Sequence, residues 1–62
     1  MSSVHELVSY LLKGYESLLQ AKKYEMDHQF DNPVLDQQIA RFESELEFHG
    51  YNVVSMRTTF GL

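Results

Sequence analysis

Sixty-two residues, a net charge of −4 and no cysteine leave this chain few ways to be stable. Ordering costs roughly 1.5 kcal/mol per residue, which a core this small barely offsets, so chains of this size commonly rely on disulfides, a metal or a second copy. The composition excludes disulfides and thiolate metal sites, and the negative charge argues against direct nucleic-acid binding.

The opening residues lack the basic and apolar segments of a secretory signal. No stretch approaches the ~20 apolar residues of a membrane span. A folded, cytoplasmic protein is expected. Ser3 followed by Glu6 fits a capping box and predicts a helix from Val4. Val4, Leu7, Val8, Leu11, Leu12, Tyr15, Leu18 and Leu19 then recur at three- and four-residue steps, the helical period. The paired apolar neighbours make this stripe wide, as suits a bundle interior. Val8, Leu11, Leu12, Tyr15, Leu18 and Leu19 are therefore the candidate self-association residues. Gly14 interrupts the helix at a cost of about 1 kcal/mol relative to alanine; it reads first as a tolerated surface glycine, with a close helix approach as the sharper alternative.

The break falls at Phe30-Asp31-Asn32-Pro33. Proline lacks the backbone N–H and fits the first helical position, with Asn32 before it as N-cap. The short connection makes the two helices antiparallel neighbours. In the second, Leu35, Ile39, Phe42 and Leu46 form a narrower seam, and Gly50 is the expected stop. The tail, residues 51–62, carries the β-formers Val53, Val54, Thr58, Thr59 and Phe60. In an extended tail, Val54, Met56, Thr58 and Phe60 share one face. The expected fold is all-α: one antiparallel two-helix hairpin domain (residues 4–27 and 33–49) with a short extended, β-like C-terminal tail, dimerising into a four-helix arrangement.

Chemistry-bearing patterns are sparse. His5-Glu6 opens like a zinc-protease helix, but Ser9 stands where the second histidine would be. Asp27, His28 and Asp31 share the turn and read as solvated turn formers; His49 reads as a helix cap. No serine sits in a nucleophile pattern and no phosphate-cradling loop is present. Neither an enzyme nor a cofactor is expected.

What remains is binding. Tyr10, Tyr24, Phe30 and Phe48 are hard to bury in a lone hairpin, aromatics of this kind anchor interfaces, and Tyr24, Phe30 and Phe48 are the candidate anchors. Glu43, Glu45 and Glu47 offer an acidic rim that would steer a basic partner. The layout broadly resembles small bacterial and phage regulators built as helical hairpins, among them inhibitors of sporulation kinases and acidic phosphatases of response regulators. That likeness rests on layout and on no signature residue. The expected function is a small non-enzymatic regulator that binds another protein and inhibits or modulates it. Two alternatives are a structural subunit whose tail adds a strand to its neighbour, and an acidic nucleic-acid mimic that occupies a DNA-binding protein.

Overall fold

A computed structural model describes residues 3–29 and 31–62. Helix α1 (Ser3–His28) and helix α2 (Pro33–Phe48) form the expected hairpin. At 1.5 Å per residue, α1 alone is about 39 Å long, and it sets the 43 Å long axis of the molecule. The side chain of Ser3, and with it the proposed capping box, lies outside the described residues, as does the aromatic anchor proposed at Phe30.

The turn is built from two local devices. Gln29 leaves α1 in the left-handed region, at φ 58°. Asn32 then caps α2, its side-chain oxygen accepting from the amides of Val34 and Leu35, with Pro33 at the first helical position. Lys22 of α1 reaches Asp36 of α2 at 2.7 Å and ties the two helices near the turn. Their bond, more than desolvation opposes it, holds the Lys22 ammonium above its ordinary value.

Helix α2 ends as expected at Gly50, which takes φ 87°. The Tyr51 amide donates to the Leu46 carbonyl and the Gly50 amide to that of Glu47, which satisfies two carbonyls of the last turn.

The tail is a helix, not a strand, and this corrects the β-like reading. Helix α3 (Val53–Thr59) is capped by Asn52, whose side chain accepts from the Ser55 amide at 3.2 Å. It closes on Gly61, at φ 78°, with the same pair of amide-to-carbonyl bonds that ends α2. Thr58 and Thr59 turn their hydroxyls back onto carbonyls four residues earlier, so these β-formers are accommodated in the helix. Val53 is buried, and Met56, Phe60 and Leu62 pack on the same core. Val53, Met56 and Phe60 recur at three- and four-residue steps, which is the helical period rather than the strand period.

The core is Leu11, Tyr15 and Leu19 from α1, Leu35, Ile39 and Leu46 from α2, and Val53 from α3. The wide stripe of α1 therefore meets two helices of its own chain: α2 on one side, α3 on the other. Three of the six proposed self-association residues, Leu11, Tyr15 and Leu19, are buried inside the chain, and Val8, Leu12 and Leu18 are half-buried.

Candidate binding groove

One polar junction joins all three helices. The Tyr15 hydroxyl donates to Glu43 Oε2 at 2.7 Å, and the Arg57 guanidinium donates to the same oxygen at 3.1 Å. Burial first, and the Glu43 bond second, hold the Tyr15 phenol well above its ordinary value. Glu43 is thus an internal tie rather than an open rim. The three glutamates of the acidic run do not form one patch. Alternate residues on a helix point some 200° apart, so Glu43 turns inward while Glu45 lies on the other side of α2. Glu45 and Glu47 are exposed.

The proposed aromatic anchors also separate. Tyr24, 57% exposed, stacks on His28 near the turn, with ring centroids 4.0 Å apart. Phe48, 84% exposed, meets only the edge of its neighbour His49 among the ring contacts of the described residues. It stands near the far end of the hairpin from Tyr24. The structure does not bring these two together.

It does open a groove elsewhere. Helix α3 covers one side of the α1–α2 seam, and the other side is a depression of about 700 Å³. Its α1 wall carries Tyr10, Gly14, Ser17 and Leu18; its α2 wall carries Gln38, Arg41, Phe42 and Glu45. The floor explains Gly14. A Cβ at that position would sit 2.5 Å from Cε2 of Phe42, so the glycine lets the phenyl ring lie directly on the α1 backbone. Tyr10 flanks this ring at 6.1 Å between centroids and remains 64% exposed. Arg41 and Glu45, one turn apart on α2, are both exposed and make no ion pair among the described residues.

Glu25 is the one buried charged side chain of the described core. Its carboxylate Oε1 has no hydrogen-bond partner among the described residues. No three histidine, cysteine or acidic side chains gather closely enough to hold a metal among the described residues. No described helix is long and apolar enough to cross a membrane.

Of the groove residues, sequence reasoning placed only Leu11, Leu18 and Glu45 in its site and left Tyr10, Gly14, Ser17, Gln38, Arg41 and Phe42 outside it. The signal was present in the spacing: Tyr10, Gly14 and Ser17 at steps of four and three define a second α1 stripe beside the core stripe. No family model, curated protein or solved structure matches the chain.

Proposed function

We propose that the protein is a small non-enzymatic regulator that acts by binding another protein chain, and that its docking surface is the α1–α2 groove opposite α3. The observation that carries this reading is Tyr10 beside Phe42. A large aromatic side chain stands exposed over an apolar floor, in a concavity bordered by two charges that make no ion pair among the described residues. Anchors of this kind gain most of their binding energy when a partner excludes water around them. A groove between two helices suits a third helix that lays its apolar face into it.

The other two readings have less to stand on. The structural-subunit reading needed an extended tail, and that tail is α3, folded back on its own hairpin. The nucleic-acid mimic needed a continuous acidic strip, and the glutamates diverge around α2. The four-helix dimer remains within the present proposal but moves to the groove face, because α3 occupies the other side of the hairpin.

The test is photo-crosslinking in the living cell from a benzophenone side chain placed at Ser17 or Gln38 in the groove. Exposed Ser55 on α3, on the other side of the hairpin, is the control. The expected result is a discrete adduct from the groove positions and none from Ser55. Absence of any adduct from Ser17 and Gln38, or equal labelling from Ser55, overturns the assignment of the surface.

A further inference from the structure

We infer that the chain covering this groove in the free protein is a second copy of this one, related by a two-fold axis that lies between the two copies and passes over α2 at the level of residue 43. The inference rests on the groove being a docking surface, and it names the occupant.

Charge singles out a second copy. Arg41 and Glu45 carry opposite charges, flank the groove, and make no ion pair among the described residues. They are equidistant from position 43. An antiparallel two-fold axis there sets Arg41 of each copy against Glu45 of the other, so one operation satisfies four charges in two pairs. A two-fold interface requires this kind of self-complementarity, in which residue i meets j and j meets i. The same axis brings the two Tyr10–Phe42 pairs to the middle of the interface and keeps the charges at its border. Ser17 keeps the α1 wall low and Gly14 lets the Phe42 ring sink onto α1, so a facing helix can approach within the usual 8–10 Å.

A specific interface buries about 800 Å² per partner, roughly one sixth of the 4683 Å² surface of this chain. A domain of this length gains proportionally more from that burial than a large one does. The resulting dimer has α1 and α2 of both copies at its centre and α3 on each outer side. A different protein that uses the groove must then displace the second copy, so self-association sets how much groove is free.

Charge reversal tests this without touching the core. Sedimentation equilibrium over a wide concentration range compares the native chain, R41E, E45R, the R41E/E45R double variant, and an equal mixture of the two single variants. Circular dichroism checks that each is helical. A dimer is expected for the native chain. R41E and E45R each place like charges face to face and weaken self-association by at least about tenfold. The double variant restores it by exchanging the two charges within each pair. The mixture restores it too, because one chain then carries acids at both positions and the other carries bases at both. A native chain that stays monomeric overturns the inference. So does a dimer that ignores both single reversals. In either case a groove crosslink to a chain of different mass leaves the docking surface standing, whereas loss of all groove crosslinks removes the surface itself.

Discussion

Gly14→Ala puts the packing of the groove floor to a quantitative test. In an exposed helix interior this change adds about 1 kcal/mol of stability through backbone propensity alone. Here the new methyl carbon would lie 2.5 Å from Cε2 and 3.1 Å from Cζ of Phe42. The ring has to swing towards the open groove, giving up its place on the α1 backbone and its contact with Tyr10. Overpacking of this kind costs about 1–3 kcal/mol. The sum is a net loss of about 1 kcal/mol, or roughly 4–8 °C in Tm for a domain of this length. In a Phe42→Ala background the ring is gone and the propensity gain stands alone, so the same substitution should add about 1 kcal/mol. The coupling between the two sites is then about 2 kcal/mol. Urea unfolding of the four proteins, followed by circular dichroism at one fixed protein concentration, closes the cycle. If Gly14→Ala stabilises both backgrounds equally, Phe42 does not need the glycine, and this account of the floor is refuted.

Two further substitutions address the buried polar groups. The phenol of Tyr15 is held above its ordinary value of 10.0. The folded state therefore keeps a proton that the unfolded chain releases. Stability is intact below pH 10 and falls as pH rises past it, by about 1.4 kcal/mol per unit. Tyr15→Phe should lower stability at neutral pH by about 1 kcal/mol through the lost bond to Glu43, and should flatten the alkaline decline. Urea midpoints that fall equally steeply in both proteins would place the alkaline transition elsewhere. Glu25 buries a carboxylate oxygen without a partner among the described residues. Glu25→Met keeps the length of the side chain, removes that penalty, and should raise stability by about 1 kcal/mol; a loss in the same unfolding assay would mean that the carboxylate is bonded after all.

Much of the hairpin could be read from local chemistry because its signals agree with one another. Asn32 and Pro33 start α2, Gly50 ends it, and the apolar steps between them share one period. The tail was read in the wrong period. Val54, Met56, Thr58 and Phe60 alternate like a strand, while Val53, Met56 and Phe60 also fit a helix, and composition favoured the former. The end groups arbitrate. Asn52 caps the start and Gly61 caps the finish, repeating the chemistry already recognised at Asn32 and Gly50. That error carried into the site. Without α3, the stripe of α1 looked unpartnered and was assigned to a second copy. With it, Leu11, Tyr15 and Leu19 at the centre of that stripe are internal, and the free surface shifts to Tyr10, Arg41 and Glu45. Glu43 misled for a related reason: its partners lie 28 and 14 residues away, and sequence periodicity carries no information about contacts at that distance.

The junction of Tyr15, Glu43 and Arg57 also orders events in time. The hairpin joins neighbouring segments across a short turn, so its two helices find each other early. Seven residues are too few to hold a helix alone, and the platform for α3 is assembled from both arms of the hairpin. Arg57 reaches the same Glu43 oxygen that Tyr15 holds, so the junction closes only when α3 docks. The last of the three helices in chain order is thus expected to be the last to dock. Until it docks, the apolar surface that receives Val53, Met56 and Phe60 stays open to water on a newly made chain.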